Sequence, residues 1–372
     1  MRILIPNLGS TSFKYQLLEF PSEAVLASGR MERIGRPGGD APDYRTAIER
    51  VLADCGAVDG VGFKAVHAGP SFRGTFAVDD AFLAALEEYA LAAPLHNGIY
   101  LTGIRAFHEL RPDLPLVAVV EPGFHRTMPD YASSYGVPQE WAEKHGVRRY
   151  GFHGSSHNFI SRRAPEFLGV PHESLRVVSC HLGGSSSMTA IDRGRSVDTT
   201  MGFSPQSGLE NATRHGDLDP FAVLFLMDRL GWSTAEAREQ LLAHGGLAGV
   251  SGVAGGDVRD IEEAARAGNN RARLALDLFC YEIRKTIGAY AAAMGGLDAV
   301  VFTGGIGENS ALVRSLATKD LEFLGVRIDP VSNVSGKGDR LISYDEAPVK
   351  VAVLGTNEEI VVGRETAHLL SR

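Results

Sequence analysis

The chain has few cysteines and no long apolar run. Cys55, Cys180 and Cys280 are far apart and outside any Cys-x-x-Cys spacing, so no disulfide framework or zinc site is indicated. Reduced thiols are typical of the cytoplasm, where we expect the protein to work. No stretch approaches the roughly 20 apolar residues of a membrane span. The opening MRILIPNLGS has too short an apolar run for an export signal, so we expect no membrane partner.

The chain also lacks an excess of positive charge. It has 37 Lys and Arg against 45 Asp and Glu, a net charge of −8, which argues against a nucleic-acid surface. An anionic substrate must therefore be attracted by a local cluster of cations. With 372 residues, 44% of them apolar, the chain can bury the core of two domains or one large one.

Short apolar runs and helical spacings alternate along the chain, as in an α/β protein. The runs and spacings predict strands over 3–5, 13–20, 24–34, 61–66 and 116–120, with helices over 44–53 and 79–91. A second pass predicts strands over 176–180, 186–191 and 299–302, helices over 220–229, 235–242 and 271–293, and a glycine-rich turn before a helix from Asn309.

Two Gly/Ser segments indicate an internal duplication. Segments 7–12 and 181–186 lie 174 residues apart, and each follows a predicted strand. Small residues are also common in unrelated tight turns, but the shared register favours two lobes of one design. Such hairpins can direct N–H groups and hydroxyls at a phosphate. Neither is a P-loop sequence.

Polar groups concentrate in four further segments. Two histidines, His153 and His157, lie in RRYGFHGSSH; their spacing also suits a metal pair on a helix, but no third ligand follows nearby. Arg214 lies in a polar loop, and its fork of donors suits a transferring phosphoryl group. GGIGEN after a strand can receive an anion. The acids of TNEE at 356–359 suit either a helix start or magnesium.

Together these segments resemble the acetate kinase family along the whole chain. They occur in family order: NLGSTSFKYQL, APLHN, FHRTMP, RRYGFHGSSH, HLGGSSS, SVDTTMGFSP, TRHGD, GGIGEN and TNEE. The resemblance implies an α/β fold, the duplicated two-lobe fold of acetate and sugar kinases, Hsp70 and actin, which is ribonuclease H-like. It also implies a homodimer that uses ATP or ADP, Mg²⁺ (or Mn²⁺) and a small carboxylate such as acetate. We expect an N-terminal lobe of residues 1–123 plus 360–372 and a C-terminal lobe of 124–359.

The resemblance also implies roles for individual residues. The catalytic set is His153, Arg214, Glu121 and Lys64, and the acyl-binding set is Lys64, Val66, Leu95, Phe152 and Pro205. The nucleotide and phosphate set is Ser10, Ser12, Lys14, His181, Gly183, Gly184, Ser185, Asp257, Val258, Arg259, Gly304, Gly305, Ile306, Gly307 and Asn309. Asn7 and Glu358 would hold the metal, with Glu359 as the alternative to Glu358.

Several positions depart from the family pattern. Lys64 and Glu121 replace an arginine and an aspartate, Gly184 replaces an asparagine, and Val258 replaces an aromatic residue beside the adenine. These departures leave open a kinase for another small acid or for a donor other than ATP. A non-catalytic nucleotide-dependent switch of the same fold is a further alternative.

Overall fold

The computed structural model describes residues 1–94 and 96–372. Its strands are β1 (Arg2–Leu8), β2 (Phe13–Glu19), β3 (Ala24–Met31), β4 (Gly60–Ala65), β5 (Thr75–Ala77), β6 (Leu116–Val120), β7 (Arg176–His181), β8 (Ser187–Asp192), β9 (Arg195–Thr199), β10 (Ala299–Thr303), β11 (Arg340–Leu341) and β12 (Lys350–Val353). Its helices are α1 (Tyr44–Cys55), α2 (Asp80–Glu88), α3 (Asn97–Leu110), α4 (Asp130–Ser133), α5 (Gln139–His145), α6 (Gly154–Leu168), α7 (Pro220–Leu230), α8 (Thr234–Ala243), α9 (Gly246–Ser251), α10 (Val258–Arg266), α11 (Asn270–Ala293), α12 (Gly304–Asn309), α13 (Ala311–Thr318), α14 (Pro330–Val334) and α15 (Glu358–Leu370). Short 3-10 helices cover Glu121–Thr127, His172–Ser174, Ala254–Gly256 and Glu322–Leu324.

The described strands form two sheets of the same design. One has the order β3-β2-β1-β4-β6-β5 and the other β9-β8-β7-β10-β12-β11. In each, three antiparallel strands are followed by two parallel ones, and an antiparallel strand closes the edge. This repeated strand order confirms the predicted duplication.

Helices cover both faces of the first sheet. Alternate residues of β1 point to opposite faces, so Leu4 packs in a cluster with α1 and α3, whereas Ile3 and Ile5 pack with Val362 of α15. Every residue of β6 and of β10 is buried. Burial on both faces explains why these strands appear in the sequence as continuous apolar runs.

The C-terminal helix α15 returns to the first sheet. It contacts β1, β4, β5 and β6, and also α6. The long helix α11 instead packs against β7, β8, α10 and α13 in the second lobe. None of the helices in the described part of the chain is long and apolar enough to cross a membrane.

Both predicted Gly/Ser hairpins are confirmed. The first joins β1 to β2, with Leu8 opposite Phe13, and the second joins β7 to β8, with His181 opposite Ser187. The strand predicted over 116–120 matches β6, and the helices predicted over 44–53 and 271–293 lie within α1 and α11.

The prediction for GGIGEN was wrong in its local structure. The segment is itself a helix, α12, which begins directly after β10, and α13 follows from Ala311. Gly304 makes this possible because its φ of +78° is in the left-handed region, and a Cβ there would lie 2.7 Å from the carbonyl oxygen of Leu182. Glycine adopts that backbone conformation without a steric penalty.

Candidate active site

The candidate residues gather where strands of both sheets end. Lys64 lies near the end of β4, Glu121 directly follows β6, and α15 begins at Glu358 shortly after β12. The carboxyl ends of parallel strands are where open α/β sheets bind ligands. The two hairpins and the start of α6 lie at the same cleft.

Lys64, Glu358 and Glu121 form a charged group in the cleft wall. The ammonium of Lys64 forms an ion pair with the Glu358 carboxylate. Burial alone would lower the pKa of Lys64, but the charges of Glu358 and Glu121 outweigh burial and raise it. Burial also acts on Glu358, yet Lys64 keeps the pKa of that carboxyl lowered. Lys64 is therefore a paired cation.

Glu121 is held by the first turn of α6. Its side chain is buried, and Oε1 accepts a hydrogen bond from Ser155 Oγ at 2.8 Å. Burial raises the pKa of Glu121 to about 7, against the opposing charge of Lys64. Near neutral pH this carboxyl is therefore present in both protonation states.

His153 is fixed at the residue before α6. Its φ is +54°, in the left-handed region, which is uncommon for a residue with a side chain and occurs often at functional sites. Nδ1 lies 2.8 Å from Ser187 Oγ, and the ring stacks on His181 with centroids 4.3 Å apart. His153 is outside the helix, so it does not share a helix face with His157.

A row of histidines and serines surrounds this position. Ser187 Oγ also lies 2.9 Å from Nε2 of His157, whose Nδ1 lies 2.9 Å from Ser179 Oγ. Burial lowers the pKa of His153 and of His157 well below the usual value, and the positive charges of neighbouring groups lower it further. Both rings are neutral near pH 7, so His153 acts as a hydrogen-bonding group and not as a cation.

Arg214 is a buried cation on the other side of the cleft. One Nη1 hydrogen donates to the carbonyl of Pro205 at 2.6 Å, and burial lowers the pKa of Arg214 to about 10. It is therefore still charged at pH 7. A guanidinium has five donors, so most of them remain for a ligand.

An apolar cluster lies beside these groups. Val66 and Phe152 belong to one buried cluster with Ala93, Tyr150 and Met201, and Phe203 packs against it. Pro205 is buried nearby in the chain, and its carbonyl holds Arg214. Leu95, the remaining predicted acyl-pocket residue, lies outside the described residues.

The first hairpin presents hydroxyls and a lysine. Ser10 and Lys14 are exposed and Ser12 is half-buried. The turn is closed by the Gly9 N–H, which donates to the Ser12 carbonyl at 2.8 Å, and by the Tyr44 hydroxyl, which donates to the carbonyls of Gly9 and Ser12. Backbone groups of the turn are thus fixed while its side chains stay accessible.

Asn7 and the acids of α15 share a small cavity at the base of this hairpin. Asn7, Lys64, Glu358 and Glu359 all line it. Both acids of TNEE are therefore near Asn7, and Glu358 is the one that is paired with Lys64.

The second hairpin has a gap where the family has a side chain. Gly183 and Ser185 are half-buried and Gly184 is exposed. A Cβ built on Gly184 would meet nothing within 4 Å. The ring of His181, at the end of β7, is held by Ser156 Oγ, 2.8 Å from its Nδ1.

The predicted base-binding residues are not presented together. Val258 is only 4% exposed and belongs to the hydrophobic core of the second lobe, because it is on the inner face of α10. Its side chain is therefore not available to a base, contrary to our expectation. Arg259 is exposed and forms an ion pair with Asp257, the N-cap residue of α10.

The helix α12 keeps only part of its amino end free. The N–H groups of Ile306 and Gly307 donate to the Leu182 carbonyl at 2.8 and 3.2 Å. Gly305 and Asn309 are exposed, and the Asn309 amide donates to the Gly305 carbonyl at 2.8 Å. In the predicted anion site of this segment, only the N–H groups before Ile306 are therefore free of the Leu182 carbonyl.

A buried arginine supports α12 from behind, and the motifs did not reveal it. Arg314 is 1% exposed, and its guanidinium donates to the carbonyls of Gly307, Glu308 and Asn333 and to Oδ1 of Asn333. Among the described residues it has no carboxylate partner. Its position beside Val313, on the apolar face of α13, was the available signal.

His96 was also missed, although its motif APLHN was noted. Burial lowers its pKa to about 4, and the positive charges of Arg214 and Lys64 lower it further. Nδ1 of His96 is buried without a hydrogen-bond partner among the described residues. His96 is therefore an additional polar group of the cleft.

Comparison with known proteins decides the family. A sequence profile of the Acetokinase family matches residues 40–364. The chain belongs to this family. Acetate kinase of Shouchella clausii is 42% identical over 100% of both chains. The crystal structure of Porphyromonas gingivalis acetate kinase superposes with a TM-score of 0.89 at 38% identity, covering 99% of each chain.

A propionate kinase of Francisella tularensis shares this architecture. It superposes with a TM-score of 0.91 at 33% identity, covering 99% of each chain. These full-length matches, with the duplicated sheet, confirm the predicted two-lobe α/β fold of the acetate kinase family. Members of the acetokinase family are phosphotransferases that act on a carboxyl group, and this chain is such an enzyme.

Proposed function

We propose that this acetokinase-family enzyme transfers the γ-phosphoryl group of ATP to acetate, reversibly, to give acetyl phosphate and ADP. One observation supports the proposal: His153 lies close enough to Arg214 and Lys64 for both positive charges to lower its pKa, and Lys64 is paired with Glu358. Phosphoryl transfer needs mainly positioning and charge stabilisation. The carboxylate acceptor is already ionised at neutral pH, so it needs no catalytic base.

His153 supplies a hydrogen bond to the transferring group in this proposal. Ser187 has one hydroxyl proton but lies within hydrogen-bond distance of both His153 Nδ1 and His157 Nε2. If the hydroxyl donates to His153, then His157 donates to Ser187, and His153 carries its proton on Nε2. That tautomer offers an N–H donor to an anionic phosphoryl oxygen, whereas the other offers a lone pair that repels it.

Arg214 stabilises the charge of the transferring group or of the acceptor carboxylate. It is buried and still charged, and only one of its N–H groups is used by Pro205. Charge-assisted hydrogen bonds are strongest where water is excluded. The carbonyl of Pro205 orients the guanidinium, so it meets the phosphoryl group without reorganising.

The small apolar cluster would receive the acyl group. Val66, Phe152 and Met201 are large enough to close it around a methyl or ethyl group. A pocket distinguishes one methylene only by about 1–3 kcal/mol, so we propose acetate as the main substrate and propionate as a slower one.

Oxygen ligands in the cleft fit Mg²⁺ or Mn²⁺. Among the described residues no group of three or more His, Cys, Asp or Glu is arranged to hold a metal alone. Mg²⁺ usually needs only one or two protein ligands because phosphate oxygens and waters complete its shell. Asn7 and Glu358, with Glu359 beside them, are the proposed ligands. When bound, the metal neutralises charge on the nucleotide phosphates.

The hydroxyls of the first hairpin and the N–H groups of the second would hold the nucleotide phosphates. We assign Ser10, Ser12 and Lys14 to one side and Gly183, Gly184 and Ser185 to the other, with His181 between them. The open space at Gly184, the burial of Val258 and the Asp257–Arg259 pair leave few specific contacts for the base. We therefore expect little discrimination between ATP and GTP.

We further propose a homodimer that works in the cytoplasm. None of the residues of α7 is buried, although it carries apolar side chains, with Phe221 and Phe225 74% and 64% exposed. Such a face is typical of an interface. Light scattering should give twice the monomer mass for the wild type and for the control Phe323→Glu, but the monomer mass for Phe225→Glu. The free thiols of Cys55, Cys180 and Cys280 agree with a reducing compartment.

The lobe boundaries stay a proposal: residues 1–123 and 360–372 in one lobe, and 124–359 in the other. The contacts of α15 with β1, β4, β5 and β6 support the assignment of the C-terminal residues. Under this division Glu358 lies at the junction between the lobes.

One coupled assay tests the function. Acetate, propionate and butyrate are each supplied with ATP, GTP and pyrophosphate, and product is measured as acyl hydroxamate. We expect the highest kcat/KM with acetate and a nucleotide, and a loss of about 10² or more in kcat for His153→Ala and for Arg214→Ala. The variant Arg36→Gln, an exposed loop position, should match the wild type. No phosphorylated product with any pair would refute the proposal.

A further inference from the structure

A second cavity lies between the lobes and is lined by arginines that the proposed mechanism does not use. Its volume is about 220 Å³, and Arg126, Arg162 and Arg195 all line it. This volume is several times the roughly 30 Å³ that one water takes in the liquid. We call it the arginine cavity.

The side chains of these three arginines are exposed, and none has an ion-pair partner among the described residues. Among the described residues, no carboxylate oxygen lies within 4.0 Å of a side-chain nitrogen of Arg126, Arg162 or Arg195. Arg162 makes only a 3.4 Å hydrogen bond to Asn158, which also lines the cavity. In the described part of the chain, three guanidinium groups without a carboxylate partner thus line one cavity.

Both acids of the cavity accept hydrogen bonds from other residues that line it. Glu365 Oε2 accepts a hydrogen bond from Thr75 Oγ1 at 3.0 Å, and Glu121 Oε1 accepts one from Ser155 Oγ. The three guanidinium groups outnumber the two carboxyl groups of Glu121 and Glu365, so the lining keeps a net positive charge. An anion therefore gains more there than it loses to repulsion.

The arginines lie at the end of the cavity that is remote from the catalytic cleft, although Glu121 lines both. Arg195 begins β9, at the end of β8 opposite to Ser187, which contacts His153. The length of β8 places these ends about 17 Å apart. Arg162 lies two turns further along α6 than Gly154, and Arg126 extends towards Gly74 at the start of β5. The cavity thus opens behind the junction of the lobes.

We propose that the arginine cavity binds a phosphate dianion, either free or as the end group of a small phosphate monoester. Guanidinium forks match phosphate oxygens in pairs. The walls come from both lobes, with Thr75 and Val361 on one side and Phe124 and Arg195 on the other. A bound anion therefore stabilises the two lobes in one relative position.

Calorimetric titration of the intact enzyme tests this site with the cleft filled. The protein is saturated with acetate, Mg²⁺ and a non-hydrolysable ATP analogue, and inorganic phosphate or glycerol phosphate is added. We expect wild type to bind at least one of them and to show a higher unfolding temperature. Tighter binding of inorganic phosphate would indicate a site for free phosphate, and tighter binding of glycerol phosphate would indicate a site for a phosphate monoester.

Matched variants locate the binding. Arg195→Gln should weaken it about tenfold or more, and the triple change of Arg126, Arg162 and Arg195 to Gln should abolish it, while Arg36→Gln should bind as wild type does. Arg195 is exposed in a hairpin, so the single variant remains informative if the triple one does not fold. Absence of binding to the filled wild type, or equal binding by Arg195→Gln, would overturn the proposal. Neither result depends on kinase activity.

Discussion

The ammonium of Lys64 near the end of β4 is paired with the carboxylate of Glu358 in the first turn of α15. The pair joins β4, one of the two central strands of the first sheet, to α15, the helix that packs on one face of that sheet. Glu121 adds a second acid to the same cation. One lysine therefore balances two carboxyl groups in the cleft wall, and its removal changes the charge of the whole site.

Lys64→Met should affect both the acid and the metal. Without the cation the site is more negative, so the KM for acetate should rise about tenfold or more, a loss of about 1.4 kcal/mol or more, near the lower limit for a charged hydrogen bond. The Mg²⁺ concentration for half-maximal rate should fall, because the Lys64 ammonium no longer competes with Mg²⁺ for the Glu358 carboxylate. Steady-state kinetics measure both, and Lys64→Arg should restore both. Unaltered values for Lys64→Met would remove this charge from catalysis.

Ser187→Ala should weaken catalysis through His153. The variant removes the hydroxyl that fixes the protonated nitrogen of the ring, so kcat should fall about tenfold with a smaller change in the nucleotide KM. Ser179→Ala is the matched control, because Ser179 contacts only the far nitrogen of His157. A kcat loss from Ser179→Ala as large as that from Ser187→Ala would argue against a tautomer effect.

Arg314→Met should loosen the nucleotide segment. Its loss leaves the carbonyls of Gly307, Glu308 and Asn333 without their donor, which should cost about 2–4 kcal/mol of unfolding free energy. The ATP KM should rise more than the acetate KM, since the family resemblance assigns α12 to the nucleotide. Urea unfolding and kinetics give both values. Arg314→Lys should recover part of the stability; an unchanged ATP KM in a folded Arg314→Met enzyme would confine Arg314 to a stability role.

Stability should fall steeply as the pH is lowered from about 6.5 to 4. Burial lowers the pKa of His67 and His125 to about 4, and further histidines are lowered in the same direction: His96, His153, His157, His181 and His215. The unfolded chain binds these protons near pH 6.5 and the folded one does not. Each histidine therefore contributes about 1.4 kcal/mol per pH unit in that window.

Two carboxyl groups with a raised pKa oppose the effect of the histidines on stability. The pKa of Glu121 and of Glu210 is raised to about 7 by burial, so their contribution to stability is present at low pH and is lost as the pH rises through 7. The more numerous histidines outweigh them. Urea unfolding between about pH 4.5 and 6 should show a slope that is smaller for His125→Asn by about 1.4 kcal/mol per pH unit. The exposed His108 gives the control His108→Gln, and an equal slope in wild type and His125→Asn would contradict the assignment.

The sequence was sufficient to predict the architecture, because the periodicity and length of the apolar runs distinguish its strands from its helices. β6 and β10 are continuous apolar runs, and each of the two Gly/Ser hairpins joins the first two strands of its sheet. The sequence was insufficient where the local structure depends on an unusual backbone conformation or on a contact with a residue distant in the chain. His153 and Gly304 both have a left-handed backbone conformation. It places His153 before the first residue of α6, and it lets α12 begin at Gly304, where the sequence predicted a turn.

The pairing of Lys64 and the burial of Val258 could not be inferred from motifs. Lys64 and Glu358 are far apart in the chain and meet only because α15 returns to the first sheet. Val258 has the same sequence neighbours whether it faces a base or the core. Its place among Ile261 and Leu276 depends on how α10 rotates against α11, which one residue does not specify.

The return of α15 to the first sheet has a consequence for how the protein is made. Ile3, Ile5 and Leu18 are covered by Val362 and its neighbours, so this face of the N-terminal sheet stays open while a ribosome is still producing the second lobe. Glu358 reaches Lys64 only when that cover arrives. The nascent N-terminal lobe therefore depends on the last helix both for a closed core and for a complete cleft, and a chaperone that shields the open face would protect it meanwhile.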